Sequence, residues 1–224
     1  MSTIKSLLVT KEPGSFIKLE QWCAKHQIKL KQLPFIEIEA ILNAEIPSTD
    51  WIFFSSPKGA QSYIRHYFVV AEKVATIGKA TAEILIKAGF HVHFIGESID
   101  SPVTIGQKFN AFIPSHSTVF FPLGNRSKRS VIDQVDANRM KESTTYKTVD
   151  QPQSLNEAFD AIMFTSPSNF HSYMQSNSID TNTRILAMGN TTEKAILAYN
   201  ENHKVNVLAA PTQEAIIELL ESLI

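Results

Sequence analysis

The sequence predicts an α/β protein with two similar domains, each a doubly wound, flavodoxin-like parallel sheet, joined by a two-stranded antiparallel connector. Short apolar runs alternate with amphipathic stretches along the chain. This alternation is typical of parallel sheets with helices on both faces. Several motifs also occur twice in the same order, which indicates an internal duplication. Two β-prone segments that break the rhythm supply the predicted connector.

The short apolar runs predict the buried strands, and the amphipathic stretches predict the helices. The strands are expected at 6–10, 51–54, 74–77, 91–95, 119–121, 161–164, 185–188 and 205–209. The helices are expected at 16–26, 58–67, 81–88, 103–112, 130–137, 169–175, 192–199 and 213–223. Because strand and helix alternate throughout, both sheets are expected to be parallel.

The two segments that break the rhythm look like half-exposed strands. Residues 35–39 alternate apolar and acidic side chains, and residues 144–149 are β-prone and polar. Both differ from the continuous apolar runs that mark buried parallel strands. Since they flank the central block of the chain, we expect them to pair with each other.

The internal repeat consists of two motifs at nearly equal spacing. Ile-Phe-Phe-Ser-Ser-Pro at 52–57 matches Ile-Met-Phe-Thr-Ser-Pro at 162–167. Further along, Ile-Gly-Lys-Ala-Thr at 77–81 matches Met-Gly-Asn-Thr-Thr at 188–192. Two motifs in the same order favour a duplicated domain over a chance match.

The repeat also predicts how the chain is divided. The strand at 119–121 has no counterpart after residue 210, but it has one near the N-terminus, at 7–12. One domain is therefore expected to be inserted into the other. The predicted parts are a discontinuous domain of 1–33 and 152–224, an inserted domain of 47–138, and a connector of 34–46 and 139–151.

Composition excludes several classes of protein. Apolar residues make up 43% and charged residues 19% of the chain, which favours a folded core over disorder. A formal net charge of −1 provides no basic field for nucleic acid or an anionic membrane. No apolar run approaches the length of a membrane span, and no secretory signal is evident. Cys23 is the single cysteine, so no disulfide can form within the chain, and together with the missing signal this predicts a cytoplasmic protein. Its side chain is interpreted as a small buried hydrophobe, with a nucleophile as the weaker alternative.

The sequence predicts neither a metal site nor a nucleotide site. The seven histidines form no ligand set: His91 and His93 share a strand face, but no third ligand accompanies them. P-loop, G-x-G-x-x-G and G-x-S-x-G motifs are absent. This absence counts against a nucleotide enzyme, a dinucleotide oxidoreductase and an α/β-hydrolase.

The repeated Ser-Pro motifs are candidate anion sites. Ser56 and Ser166 are suited to cap a helix, and each precedes a proline, which is favoured at the first helical position. An ordinary helix start explains this much. These turns also follow parallel strands, where open α/β sheets bind ligands, and helix N-termini attract carboxylates and phosphates.

The repeated glycine motifs favour the same chemistry. Gly78 and Gly189 would let a ligand approach the backbone closely, and the threonines after them are expected to cap the next helix. Either motif alone is weak. Four such helix starts, two per domain, indicate a multiply anionic ligand.

Basic and aromatic residues supply further candidates. Lys11 and Arg126 follow matching strands, and for both residues a substrate contact and a solvated loop remain open. Lys128 and Arg129 are interpreted as solvated. This patch is too small and too poor in aromatic residues for nucleic-acid binding. Tyr146 lies in the second connector strand, where spacing alone favours a cross-strand aromatic pair.

Together, these features resemble the uroporphyrinogen-III synthase family over essentially the whole chain. The resemblance rests on Thr10-Lys11, residues 54–57, 77–81, 123–126, 164–167 and 188–192, and Tyr146. The chain departs from the family at Lys11, where arginine is usual. Lysine keeps the positive charge but loses the bidentate fork.

The resemblance implies an enzyme that cyclises hydroxymethylbilane, a linear tetrapyrrole, to uroporphyrinogen III. Water is lost, ring D is inverted, and no metal or redox cofactor is needed. The acidic substrate would lie in a cleft between the two domains, and Tyr146 would assist departure of the hydroxyl group. The residues expected to bind substrate are Thr10, Lys11, Ser55, Ser56, Pro57, Gly78, Lys79, Thr81, Asn125, Arg126, Thr165, Ser166, Asn169, Gly189, Thr191 and Thr192.

The resemblance also implies a monomer, and it leaves open a transient contact with the upstream hydroxymethylbilane synthase. Two other functions remain open. One is a non-catalytic tetrapyrrole- or anion-binding regulatory protein with the same two-domain fold. The other is a general two-domain binding protein for small ligands. Analysis of the reaction product and substitution of Tyr146 separate these hypotheses.

Overall fold

The computed structural model describes residues 4–69 and 71–223, and it has the predicted α/β fold with parallel sheets. The strands are β1 (Ser6–Val9), β2 (Lys29–Gln32), β3 (Ile36–Ala40), β4 (Trp51–Phe54), β5 (Lys73–Thr76), β6 (Phe94–Ile95), β7 (Val119–Gly124), β8 (Met140–Asp150), β9 (Ala161–Phe164), β10 (Arg184–Ala187) and β11 (Val205–Val207). The helices are α1 (Ile17–Lys25), α2 (Pro57–His66), α3 (Lys79–Lys87), α4 (Pro102–Phe112), α5 (Pro167–Tyr173), α6 (Asn190–Tyr199) and α7 (Gln213–Leu223).

The chain divides into two compact units. Unit 1 comprises Met1–Glu37 and Asp150–Ile224, and unit 2 comprises Ile38–Val149. In unit 1 the strand order is β11-β10-β9-β1-β2, and these neighbours pair in parallel. Leu7 pairs with Ala161, so strands from distant parts of the sequence share one sheet.

The sheet of unit 1 has an apolar core on each face, because successive side chains of a strand point to opposite sides. Leu7 and Val9 belong to a cluster with residues of α1 and α7, whereas Leu8 belongs to a cluster with residues of α5 and α6. Helices therefore cover both faces, and the continuous apolar runs of the sequence reflect strands buried on two sides.

Unit 2 contains a six-stranded sheet in the order β3-β8-β7-β4-β5-β6. Its strands from β8 to β6 pair in parallel. Phe53 packs with residues of α4 on one face, and Phe54 packs with residues of α2 and α3 on the other. The two units are therefore built alike, each with a parallel sheet between two layers of helix.

The predicted connector strands are present, but they extend this sheet. The N–H of Ile41 donates to the carbonyl of Thr145 at 2.9 Å, and the N–H of Gln151 donates to that of Phe35 at 2.8 Å. Since these pairs run in opposite order, β3 and β8 are antiparallel. β8 also pairs in parallel with β7, so the second connector segment has strand partners on both sides.

Two local predictions differ from the structure, and one strand has no predicted counterpart. That strand is β2, whose sequence, Lys-Leu-Lys-Gln, is mostly polar and gives no apolar pattern. The predicted strand at 91–95 shrinks to the two residues of β6. The predicted helix at 130–137 is wrong: the chain makes only a 3-10 helix, Ile132–Gln134, and is extended at Val135. One turn already buries Val131, Ile132 and Val135 in the core, so their spacing mimics a longer helix.

Candidate active site

The Ser-Pro motifs form the predicted helix starts at the carboxyl ends of β4 and β9. Ser56 and Ser166 are extended N-cap residues, and each precedes a proline at the first helical position. The Ser56 Oγ accepts a hydrogen bond from the N–H of Gly59 at 2.9 Å. The Ser166 Oγ accepts one from the N–H of Asn169 at 3.2 Å. The predicted serine caps are therefore confirmed.

The glycine motifs also form helix starts, but not as predicted. Gly78 and Gly189 are themselves the N-cap residues of α3 and α6, and neither helix has a side-chain cap. The prediction that threonines cap these helices is wrong, because Thr81 and Thr192 lie inside the first turn and are buried. The first N–H groups of α3 and α6 thus lack a capping side chain, which suits an anion site.

The space around Gly189 favours close approach of a ligand. Its φ of −177° is extended backbone that any residue adopts, so conformation does not require glycine there. Apart from its two chain neighbours, no described residue has a heavy atom within 4 Å of a Cβ added at this position. Neither backbone strain nor packing explains the glycine at this position. The missing side chain leaves the N-terminus of α6 accessible to a ligand.

Three of the predicted binding residues in unit 1 are joined to one another by hydrogen bonds. The N–H of Thr165 donates to the Oγ1 of the buried Thr10 at 2.9 Å, and the Thr165 Oγ1 donates to the Thr10 carbonyl at 2.6 Å. The Nδ2 of the buried Asn169 donates to the Thr165 Oγ1 at 3.2 Å. These side chains build the turn, and their assignment to substrate binding stays a prediction.

The other predicted residues are more accessible. The Lys11 Nζ lies 3.5 Å from a carboxylate oxygen of Glu12. Asn125 accepts a hydrogen bond at its Oδ1 from the N–H of Thr148 and so ties the end of β7 to β8. The predicted residues that are exposed or half-buried are Lys11, Ser55, Ser56, Pro57, Gly78, Lys79, Asn125, Arg126, Thr165, Ser166, Gly189 and Thr191.

Tyr146 is half-buried in unit 2, and it does not form the cross-strand aromatic pair that spacing alone favours. Its partner in the β7–β8 register is Gly124. Its hydroxyl lies 3.1 Å from the Oγ of Ser56. A Cβ added at Gly124 or Gly59 would lie very close to the Tyr146 ring, at 2.5 Å and 3.0 Å respectively. Sequence reasoning missed both glycines as site residues, although a glycine within a strand, as at Gly124, is a signal of close approach.

One pocket in each unit lies at an end of the strands, at the carboxyl ends in unit 2 and at the amino ends in unit 1. A pocket of about 330 Å³ in unit 2 lies at the carboxyl end of β7, the predicted edge, beside Gly124 and Asn125. A pocket of about 640 Å³ in unit 1 is lined by residues 155–159 and 173–178, which precede β9 and follow α5. The smaller pocket therefore accompanies the candidate site, and the larger one lies at the amino ends of the strands.

The smaller pocket includes Arg129, for which the sequence predicts a solvated position. The Arg129 guanidinium donates to both carboxylate oxygens of Glu142 at 2.8 Å and to Asp133 at 3.2 Å. The hydrogen bonds and charge of Glu142, with a smaller contribution from Asp133, raise the pKa of Arg129. A substrate carboxylate would have to compete with these two partners for the guanidinium.

Within residues 4–69 and 71–223, no helix is both long enough and apolar enough to cross a membrane. The same part of the chain contains no group of three His, Cys, Asp or Glu residues arranged to hold a metal ion.

Comparison with known proteins identifies the family. The model of the family described as uroporphyrinogen-III synthase HemD matches residues 18–218. Uroporphyrinogen-III synthetase from Helicobacter pylori 26695 is similar in structure, with a TM-score of 0.69 at 16% identity over 99% of this chain and 100% of that chain. A mutant uroporphyrinogen III synthase from the extremely thermophilic bacterium Thermus thermophilus gives a TM-score of 0.60 at 12% identity over 97% and 98%. No curated protein matched. Because the family match spans most of the sequence, the chain belongs to the uroporphyrinogen-III synthase family.

Proposed function

We propose that this chain converts hydroxymethylbilane into uroporphyrinogen III. As a member of its family it is a cyclising lyase of porphyrin biosynthesis. The match over residues 18–218 is the observation that carries the proposal. The residue assignments below rest on local geometry within each unit.

The substrate would be held by its carboxylates. Carboxyl groups with pKa values near 4 are ionised at neutral pH, so the bilane is a multiply charged anion. The uncapped N-termini of α3 and α6 present N–H groups without a capping side chain. The serine-capped starts of α2 and α5 add partial positive charge at the carboxyl ends of β4 and β9. This pattern fits a ligand that carries carboxylates at several points.

Tyr146 would act at the hydroxymethyl group. Its hydroxyl donates a hydrogen bond to the departing oxygen, which takes up a proton and leaves as water while the ring A pyrrole gives up its N–H proton. The remaining azafulvene is the electrophile that ring D attacks through its substituted carbon. The spiro intermediate then fragments and closes again with ring D inverted. The role of Tyr146 is assistance to a reactive leaving group, while orientation of the two ends of the bilane supplies much of the catalysis.

We also propose that the two units are flavodoxin-like domains, with boundaries at 1–33 and 152–224 for one, 47–138 for the other, and 34–46 and 139–151 for the linker. The strands of unit 1, numbered in chain order, lie in the order 2-1-3-4-5, which is the flavodoxin-like order. The strands of unit 2 have a similar spatial layout, in the order β8-β7-β4-β5-β6, but the chain passes through them in a circularly permuted sequence. Such a relationship supports duplication with insertion of one domain into the other.

We place the proposed enzyme in the cytoplasm as a monomer, in transient contact with the upstream synthase. The buried thiol of Cys23, the single cysteine, suits a reducing compartment. Burial raises the pKa of this thiol to about 11, so it is a poor nucleophile at neutral pH. The family resemblance implies the monomeric state and leaves the contact open.

Product analysis tests the proposed function. Hydroxymethylbilane is generated with its upstream synthase, this protein is added, and the oxidised porphyrin isomers are separated. We expect isomer III to predominate, whereas the same mixture without this protein gives the symmetric isomer I. If a folded protein that binds the bilane leaves only isomer I, the chain is instead the non-catalytic binding protein.

A further inference from the structure

We propose that Gly59 and Gly124 are positioning residues that, with Ser56, hold the Tyr146 hydroxyl against the first turn of α2. The proposal rests on the proposed function, because it assigns a task to residues around the tyrosine of that site. We call this group of four residues the tyrosine cradle. All four lie in unit 2.

The first support is a change of register between β7 and β8. Leu123 pairs with Thr144, but Gly124 pairs with Tyr146, so Thr145 is an extra residue in β8. Because paired residues share a face of the sheet, the shift puts Tyr146 on the face of Gly124. Without the shift, Tyr146 would point to the face of Leu123, away from α2. The extra residue therefore aims the tyrosine ring.

The second support is the space that two glycines leave for the ring. A Cβ at Gly124 would lie 2.5 Å from the Tyr146 Cζ and 2.8 Å from its hydroxyl oxygen. A Cβ at Gly59 would lie 3.0 Å from the Tyr146 Cε1 and 2.9 Å from the Ser56 Oγ. Neither glycine has a positive φ, so backbone conformation does not explain them. The aromatic ring occupies the volume that two side chains would otherwise fill.

The third support is the hydrogen bonding of Ser56. Its Oγ already accepts the N–H of Gly59, and it lies 3.1 Å from the Tyr146 hydroxyl. A serine hydroxyl has one proton to donate. When Ser56 donates that proton to the tyrosine oxygen, the tyrosine O–H remains free to donate to a ligand. In that arrangement the serine fixes the phenol oxygen without using the proton that the proposed chemistry requires.

The repeat provides a comparison within the chain. In unit 1 the residue that corresponds to Gly59 is Asn169, the third residue of α5. Its Nδ2 donates to the Oγ of Ser166 at 3.1 Å, so a side chain of the same helix occupies the cap. The two units therefore diverge at the position where unit 2 admits the tyrosine. A structural requirement common to both helix starts does not explain glycine at position 59.

A double-mutant cycle tests the cradle in the full-length protein. We expect Gly124→Ala to lower kcat about as much as Tyr146→Ala does, with little change in KM. In the Tyr146→Ala background the clash is gone, so Gly124→Ala should have no further effect on kcat. Gly59→Ala should also lower kcat in the wild-type background, but its clash with the Ser56 Oγ at 2.9 Å remains in the Tyr146→Ala background. An equal loss of kcat from Gly124→Ala in both backgrounds, or wild-type kcat in the single glycine variants, would overturn the proposal.

A spectroscopic measurement separates the cradle from the proposed function. The protein is labelled with 3-fluorotyrosine, and the Tyr146 fluorine resonance is assigned by its loss in Tyr146→Phe. Gly124→Ala should shift this resonance. Gly106→Ala is the matched control, because its Cβ would lie 2.7 Å from the Val131 carbonyl, in a different part of unit 2. It should lower the melting temperature and leave the resonance in place.

The outcomes differ for the two proposals. If Gly124→Ala shifts the Tyr146 resonance but the protein produces no isomer III, the contacts of the cradle are supported and the proposed function is contradicted. If the protein produces isomer III but Gly124→Ala does not shift the resonance, the cradle is contradicted and the proposed function is supported. A shifted resonance with unchanged kcat overturns the positioning role, because the ring has then moved without consequence for the reaction.

Discussion

The backbone N–H of Phe35 donates a hydrogen bond to the Oδ1 of Asn169, 2.9 Å away. Both residues are almost completely buried, and the Phe35 ring packs edge-on against Tyr173 with 5.1 Å between ring centroids. This contact ties the segment after β2 to the helix after β9. One buried amide side chain therefore joins two parts of unit 1 that are far apart in the sequence.

Replacing Asn169 with alanine should destabilise the protein, because the Phe35 N–H would remain buried without a partner. The expected loss in free energy of unfolding is about 1–3 kcal/mol, measured by urea denaturation. Asn156→Ala, at an exposed position in the same unit, is the control and should change stability little. A stability of Asn169→Ala equal to that of the control would show that the N–H finds another partner.

Replacing Tyr146 with phenylalanine keeps the ring and removes the hydroxyl. We expect kcat to fall roughly tenfold, equivalent to about 1.4 kcal/mol, while the dissociation constant of the bilane changes little. Tyr199→Phe removes an exposed hydroxyl from α6 and should leave both constants unchanged. Unchanged turnover in Tyr146→Phe would count against the assigned role of the hydroxyl.

Replacing Gly189 with alanine should weaken substrate binding more than it weakens the fold. Apart from its chain neighbours, no described residue has a heavy atom within 4 Å of the added methyl, so any loss of stability should come from the N-cap preference and stay near 1 kcal/mol or below. KM should rise, because the methyl lies where a carboxylate would approach α6. Gly89→Ala is the control: its φ of 90° strains alanine, but it lies at the end of α3 far from the helix start. It should lower the melting temperature without raising KM.

The Glu157 carboxylate should contribute to stability in a defined pH range. The ammonium groups of Lys29 and Lys31, each 2.6 Å from a carboxylate oxygen, lower the pKa of Glu157 from 4.5 to about 2. A lowered folded-state pKa stabilises the fold above the unfolded value, and this stabilisation disappears as pH falls through the folded value. The stability difference between wild type and Glu157→Gln should therefore be constant above about pH 5 and vanish towards pH 2.

Salt and a second variant check that interpretation. Because these ion pairs are partly exposed, added salt should reduce the difference between wild type and Glu157→Gln. Glu201→Gln, at an exposed carboxylate in the turn after α6, is the control. A pH dependence as steep for Glu201→Gln as for Glu157→Gln would contradict the role of the two lysines.

The sequence predicts those strands and helix starts that are encoded by residues adjacent in the chain. Strands such as β4 and β9 are continuous apolar runs, and Ser56 and Ser166 stand directly before the prolines that begin their helices. β2 escaped prediction because its stability comes from pairing with β1 and not from an apolar pattern of its own. The capping role assigned to Thr81 and Thr192 failed since the glycine before each helix start had already taken that position.

The contacts of Tyr146 depend on residues far apart in the sequence. Ser56 caps α2, Gly59 lies in its first turn, and Gly124 ends β7, so only the sheet order β8-β7-β4 brings them near the tyrosine. The one-residue shift of β8 leaves no periodic mark in a strand that is polar on much of its surface. Pattern reasoning therefore found the tyrosine through the family resemblance and could not find the residues that hold it.

The pairing of β1 with β9 has a consequence for synthesis on the ribosome. Leu7, Leu8 and Val9 emerge early, but β9, which pairs with one edge of β1, is made only after the whole of unit 2. Unit 2 is contiguous and can fold first. The pairing of β3 with β8 then draws Phe35 and Gln151 together and shortens the loop that unit 1 must close. Until then β1 can pair only with β2, and Leu8 lacks the residues of α5 and α6 that cover it, so this face of β1 is a candidate for chaperone binding.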